Sequence, residues 1–584
     1  MRRVRTHGPP LIGITLIVLA CYARTLGRSF VGVDFVLLAR LADGGFWETA
    51  AAHFSGPCFG IEAVAFYRPV STLVLQLEQL AFGVQATGYL VVHMALHLLN
   101  VALVYALAWG MWGRRDRVAG TAAGLLFALY PLHVDSLGFV ASYATPIVTS
   151  FVLGAFLAHV HGRRLLALLL NVLALGSYEQ AVVLPVLLLV HDALDVRIAR
   201  RPAWREHVAC WIATALYFVL RWALLGYVIG GYQDVRGQLP LSTPLHEPGR
   251  LASGLLDLAL PGLSAVSSSG LVVVLLGLAA VLTAVALHRR GALGDAPRWW
   301  LLGVAWVVVT QAPFAFPRIV PGNGRYVYLT SIGLAWLLLA LGTGLPRSRA
   351  WWGSHRVRVL GPAALLVMVQ LPLLREITVA YRDAALLAHR MQTAAGRLEV
   401  EPSQPLFLGG VPGFLNDTAG NPVAQVYAWG LSDALDEPFS KGAPRRAYRL
   451  PPLSAGGLRP LLEHASARTV FWWDGRWVDL CVANTWRPER VAIKTSPDDE
   501  LRFRFRSDAT RNRLVLVTRV NPVLVELDAE PGVAGWRPAR LPDWLVDLER
   551  QLYDDVIYWW VEGRDEDGRL QSQSGLETLA PWDV

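Results

Sequence analysis

Lysine is almost missing from this chain: Lys441 and Lys494 are the only two in 584 residues. Charge of either sign is scarce as well, at 17% of residues, where a soluble domain has about a quarter. With 54% hydrophobic residues, that shortage excludes a chain that is soluble throughout. Four cysteines exclude a disulfide-built scaffold, and two of them, Cys21 and Cys210, lie in apolar runs. The net charge of +8 is no sign of nucleic-acid binding, because the arginines occupy short loops between apolar runs.

Long apolar runs fill the first two thirds, and charged residues gather after about residue 375. This asymmetry predicts a polytopic membrane domain over 1–375, an α+β extracytoplasmic connecting segment over 376–460, and a β-rich, sandwich-like extracytoplasmic domain over 461–584. A membrane span needs roughly 20 mostly apolar residues. Eleven candidates fall at about 10–26, 89–112, 119–132, 140–160, 165–177, 180–194, 207–228, 268–288, 299–316, 326–345 and 359–374. The third, fifth and sixth are short. "VLAC", ending at Cys21, resembles a lipoprotein cleavage site, but Leu19 fits poorly, so an uncleaved first span is expected.

Loop arginines set the direction. They recur in every second loop: Arg114, Arg115 and Arg117; Arg163 and Arg164; Arg197 to Arg205; Arg289, Arg290 and Arg298; and Arg347 to Arg358. The N-terminus, "MRRVR", is therefore expected in the cytoplasm and the C-terminal region outside. The opposite loops then share one face. They hold Asp34, Arg68 in "FYRPVS", His133 and Asp135 in "YPLHVDS", Glu179 in "SYEQ", and Arg325 in "GNGRYVYL". Ionisable groups at membrane depth are costly and tend to be functional.

Four stretches occur in a telling order: "FYRPVSTLVLQLEQLAFG", "AGLLFALYPLHVDSLGFVAS", "LGSYEQAVVLPVLLLVHDAL" and "GRYVYLTSIGLAWLLLAL". Together they resemble the membrane half of the tetratricopeptide-linked O-mannosyltransferases and their bacterial relatives, which belong to the GT-C class of membrane glycosyltransferases. The resemblance covers roughly 10–345. It departs from the family at four points. A single Asp34 replaces an acidic pair. Tyr130 stands for the first His of the turn and Asp135 for its Glu. Tyr178 stands for a Lys before Glu179. No 34-residue helical repeat follows the spans.

The resemblance implies transfer of a sugar from a polyprenyl-phosphate donor to a protein or glycan acceptor on the extracytoplasmic face of a bacterial inner membrane. On that reading Asp34 is the general base, and Arg68 and Arg325 are the candidates for the lipid phosphate, with His133, Asp135 and Glu179 around them. The bland alternatives are an N-cap for Asp34, an interfacial-helix anchor for Arg68 and a capping role for His133 and Asp135. No cofactor is required. A divalent metal on His133, Asp135 and Glu179 is conceivable, although their spacing matches no ligand signature. His93 and His97, four apart on one helix face, fit interhelical hydrogen bonding better than metal. Trp472, Trp473 and Trp559 fit a sandwich core better than a sugar platform. Two other functions fit the same architecture: an inactive GT-C relative serving as a membrane scaffold, and a lipid-linked glycan ligase or transporter.

Reporter fusions test the topology. Fusions after residue 117 and after residue 400 are expected to report opposite sides of the membrane, and the same side for both overturns the assignment.

Overall fold

The structure is a computed structural model. It describes residues 2–26, 29–42, 44–61, 66–111, 116–194, 204–228, 296–314, 321–344 and 354–398, and, beyond these, 406–416, 422–440 and the strands given below. The expected span at 268–288 lies outside the described residues. Chain contacts divide the protein into two units, one of Met1–His389 with Phe414–Ala428 and one of Arg390–Gly413 with Trp429–Val584.

The first unit is helical. Its elements are α1 (Arg2–Tyr22), α2 (Val33–Ala42), α3 (Phe46–Ser55), α4 (Pro69–Phe82), α5 (Ala86–Gly110), α6 (Arg117–Ala128), α7 (Val134–Gly138), α8 (Ala144–Val160), α9 (Arg164–Leu175), α10 (Leu184–Leu194), α11 (Trp204–Leu225), α12 (Ala296–Gln311), α13 (Ser331–Gly344) and α14 (His355–Gly396). Every expected span among the described residues falls on a helix. Five of them are long and apolar enough to cross a membrane, and α6 with the segment Pro131–Gly138 makes a sixth that bends by 55°. The 12 residues of α9 rise only about 18 Å, which is short of a hydrocarbon core of about 30 Å. Length and hydropathy therefore support a polytopic membrane protein, and the full count of eleven goes beyond them.

Local signals explain the helix ends. Asp116 caps α6, its Oδ1 accepting from the N–H groups of Val118 and Ala119 at 2.9 and 3.2 Å. Pro69 opens α4 at a first-turn position, where a missing N–H costs nothing. Small residues let helices approach closely, as they do in membranes. At the crossing of α12 and α13, a Cβ on Gly303 would lie 2.9 Å from the Gly333 carbonyl oxygen, and one on Gly333 2.9 Å from the Gly303 carbonyl oxygen. The strands β2 (Phe414–Asn416) and β3 (Pro422–Gln425) also belong to this unit and pair antiparallel.

The second unit is mainly β among its described residues, with one short helix, α15 (Leu431–Leu435). Strand β1 (Leu406–Gly409) lies between β4 (Ala447–Arg449) and β5 (Arg468–Trp473), parallel to both. Strand β6 (Arg476–Asp479) continues that sheet antiparallel to β5. The remaining strands are antiparallel. β7 (Ala492–Thr495), β8 (Leu501–Phe505) and β11 (Gly535–Ala539) form one sheet. β9 (Arg511–Val517), β10 (Pro522–Leu527), β12 (Ile557–Arg564), β13 (Leu570–Gln573) and β14 (Glu577–Leu579) form another. β12 and β13 pair antiparallel, with Glu562 opposite Gln573. β5 reaches back to β1, so pairing in this unit crosses residue 460. Trp472 meets Trp477 edge-on at 5.1 Å, a cross-strand aromatic pair.

The glycine crossing gives a stability test. Gly333→Ala is expected to lower stability by about 1–3 kcal/mol through forced separation of α12 and α13. A lowered melting temperature of the detergent-purified protein checks this.

Candidate functional site

Asp34 sits in the first turn of α2 and is 2% exposed. It does not cap its own helix. Oδ2 accepts from the Val31 N–H at 3.1 Å, and Oδ1 reaches across to the Ala141 N–H at 2.7 Å. Burial raises its carboxyl group to about 7; the N–H groups of Val31, Ala141 and Val140 oppose the rise, and nearby Asp135 adds to it. The fold thus holds a carboxylate whose proton is exchangeable near neutrality.

The turn before α2 is set by the hairpin of β2 and β3. Gly32 adopts φ +48°, a conformation open to glycine, and donates its N–H to the Val426 carbonyl at 2.6 Å. The Val33 N–H donates to Gln425 Oε1 at 3.0 Å, and Phe35 stacks on Tyr427 at 5.8 Å. The hairpin and the residues just after it therefore hold the backbone on both sides of Asp34.

Asp135, in α7, is 1% exposed and fully engaged. Oδ2 accepts the backbone N–H of Arg325 at 2.8 Å and its guanidinium Nη1 at 3.3 Å. Oδ1 accepts the Tyr381 hydroxyl at 2.6 Å. Arg325 is a quarter exposed, and its guanidinium lies 4.9 Å from the Tyr326 ring centroid and 6.0 Å from that of Phe139.

Arg68 and Glu179 form a second ion pair. Nε and Nη2 of Arg68 both lie 2.8 Å from Glu179 Oε2. The guanidinium is sandwiched between the rings of Phe66 and Tyr178, at 4.0 and 4.2 Å from their centroids. Arg221 approaches Glu179 Oε1 at 3.6 Å from within α11. Tyr178, which stands where the GT-C pattern has a lysine, interacts electrostatically with Arg68, Tyr326 and Arg325, so the two ion pairs are neighbours.

His133 is not part of this group. It is fully buried, pairs Nε2 with Ser331 Oγ at 2.9 Å, and packs on Tyr328 and Phe127. His97 packs beside it. Nε2 of His97 donates to the Ala128 carbonyl at 3.1 Å, so its Nδ1 accepts from the Tyr328 hydroxyl at 2.7 Å. His97 is thus an interhelical hydrogen-bonding residue, as the sequence suggested, whereas both ring nitrogens of His93 are buried without a hydrogen-bond partner. His133, Asp135 and Glu179 turn to different partners, and they form no metal-ligand group among the described residues. Cys58 is a free thiol beside Thr72 Oγ1 at 3.3 Å.

Sequence reasoning missed Arg221, Tyr381, Gln425 and Glu78. Arg221 had a signal, an arginine inside an apolar span. Tyr381 and Gln425 had none, since each acts across more than 200 residues. Glu78, in α4, is 5% exposed and neither carboxyl oxygen has a hydrogen-bond partner. Burial pushes it up to about 8, which favours its neutral form.

No family model matches the chain, and no curated protein matches it. Among solved structures it is similar to ArnT from Cupriavidus metallidurans bound to undecaprenyl phosphate, at 16% identity and TM-score 0.39, over 83% of this chain and 95% of that one. It is also similar to the apo state of that protein, at 16% identity and TM-score 0.33, over 80% and 92% of the two chains.

Removing one partner of a mostly buried pair strands the other. Glu179→Gln is expected to cost about 1–3 kcal/mol by leaving Arg68 and Arg221 without their counter-charge. Thermal unfolding of the purified variant beside wild type measures it.

Proposed function

We propose that the protein is a GT-C type integral membrane glycosyltransferase that moves a sugar from a polyprenyl-phosphate donor to an acceptor on the extracytoplasmic face, with inversion. The observation that carries this reading is Asp34: a buried carboxylate outside the spans, with a proton affinity near neutrality, close to an arginine–aspartate pair. A general base works best when its own proton affinity lies near the working pH.

The chemistry is a single displacement. The acceptor hydroxyl oxygen attacks the anomeric carbon, and Asp34 takes its proton. The bond from that carbon to the phosphate oxygen breaks, and polyprenyl phosphate leaves. Both backbone N–H bonds to Asp34 leave lone pairs free to accept this proton. Arg325 is the proposed phosphate ligand: its guanidinium is partly exposed and oriented by Asp135. Arg68 is better placed to orient than to bind, because Glu179 already takes Nε and Nη2. His133 is proposed to brace the turn that carries Asp135. The β2–β3 hairpin fixes the backbone around Asp34 and so keeps its carboxylate aligned.

One observation favours the scaffold reading. Tyr178 removes a positive charge that the family pattern supplies, and Arg68 is already neutralised by Glu179.

Transfer of labelled sugar from polyprenyl phosphate by purified protein decides between the two. Asp34→Asn is expected to lose about 10²–10⁴ in rate with donor binding largely kept. Arg325→Ala is expected to weaken donor binding. The base must be unprotonated to act, so the wild-type rate is expected to rise with pH through about 7 and to level off above it. An Asp34→Asn variant as fast as wild type removes Asp34 as the base. A wild type inactive with all common donors favours the scaffold.

A further inference from the structure

The other buried ionic group lies at the far end of α8. Ala144, at the start of that helix, is near the Ala141 N–H that holds Asp34, and His159 is one residue from its end. Fifteen residues of helix separate Ala144 and His159 by about 23 Å. His159 meets Asp192 and His191 from the end of α10 and Glu206 and His207 from the first turn of α11. The five side chains are between 1 and 7% exposed.

Asp192 is the hub. Its Oδ1 lies 2.8 Å from His159 Nε2 and 3.0 Å from His191 Nδ1, and its Oδ2 lies 2.8 Å from His207 Nε2. One nitrogen each of His159 and His191 and one oxygen of Asp192 lie within 4.8 Å of one another. On its other side His159 turns Nδ1 to Glu206 Oε1 at 2.7 Å. A histidine with a carboxylate on each ring nitrogen can share a proton with one of the carboxyl groups, and it has two fully ionised arrangements. Both nitrogens carry protons, or one carries a proton and the other binds a cation lodged between it and the second carboxylate.

Two features favour the cation. A metal-ligating histidine usually donates its other ring N–H to a carboxylate, which is what Glu206 offers His159. Charge points the same way: two carboxylates are buried here, and Arg164 reaches Glu206 only at 3.7 Å from a side chain 63% exposed. In addition, Nδ1 of His207 is buried without a hydrogen-bond partner.

We propose that this cluster is a structural divalent-metal site, suited to zinc by its nitrogen and oxygen donors, with His159, His191 and Asp192 as ligands. His207 is the nearest further nitrogen for a fourth position, and Glu206 orients His159. Zinc bonds of 2.0–2.2 Å in a tetrahedron set ligand atoms about 3.4 Å apart, so a slight opening of the present contacts seats the ion. Burial of every donor makes the site closed, without a face for substrate, and its role is to staple α8, α10 and α11 together. The inference is independent of the proposed transferase activity.

The test uses full-length protein purified in detergent through a tag that binds no metal, stripped with chelator and reloaded with Zn²⁺ or Co²⁺. Wild type is expected to take up one equivalent, to show the visible bands of tetrahedral Co²⁺, and to melt higher when loaded. His191→Gln and Asp192→Asn are expected to lose that equivalent while remaining monodisperse. Glu206→Gln is expected to bind about 10–100-fold more weakly. Monodisperse wild type that takes up no stoichiometric metal overturns the proposal, and so does uptake unchanged in both ligand variants. The wild-type measurement decides even if a variant fails to fold.

Discussion

Asp135 holds one end of the helical unit together. One carboxylate receives the backbone N–H and the guanidinium of Arg325 and the hydroxyl of Tyr381. These partners come from the segment ahead of α13 and from α14, so three distant parts of the chain meet on a single buried charge. Burying a carboxylate is expensive unless it is paired and hydrogen-bonded, and three donors offset that cost. The position of Asp34 follows from this node. Asp34 takes the Ala141 N–H from the segment just after α7, so the geometry around Asp34 is inherited from the placement of α7.

Among the described residues of the helical unit, two clusters of buried charge are separated by apolar helix. One holds Asp34, Asp135, Arg325, Arg68 and Glu179. The other holds His159, His191, Asp192, Glu206 and His207. Between them α5 and α8 are apolar nearly all round, relieved by residues such as His97 and Asn100 that bond the Tyr328 hydroxyl and backbone carbonyls. Confining ions to the two ends lets the middle pack as a dry interface, where glycine crossings bring backbones together. The two sets also differ in kind. The first contains arginine and a partly exposed guanidinium, which suits an anionic ligand that comes and goes. The second contains imidazoles and carboxylates closed off from solvent, which suits a resident cation.

Tyr178 shows how the charge around Glu179 is balanced. With a lysine at that position, Glu179 would have two cations from the loops. Here the aromatic ring stacks on Arg68 instead, and Arg221 supplies a second positive charge to Glu179 from inside α11. The charge balance at Glu179 is kept by a residue 42 positions further along the chain, and the stack narrows the freedom of Arg68.

By itself the sequence determined the helices, because bilayer-length apolar runs and capping residues such as Asp116 are local signals. It also placed six ionisable residues at the ends of those runs. It could not say which of the six meet. Asp135 and Arg325 are 190 residues apart, and Arg68 and Glu179 are 111 apart; each pair exists only because helices between them pack in one order. His133 lies two residues from Asp135, yet it points into an aromatic cluster, because residues two apart on a helix face roughly opposite sides. The histidine–carboxylate cluster was illegible for the same reason: His159, His191 and His207 look like isolated polar residues at three helix ends. Tertiary structure alone brought their nitrogens within reach of one carboxylate, since only the packing of α8, α10 and α11 sets which helix ends coincide.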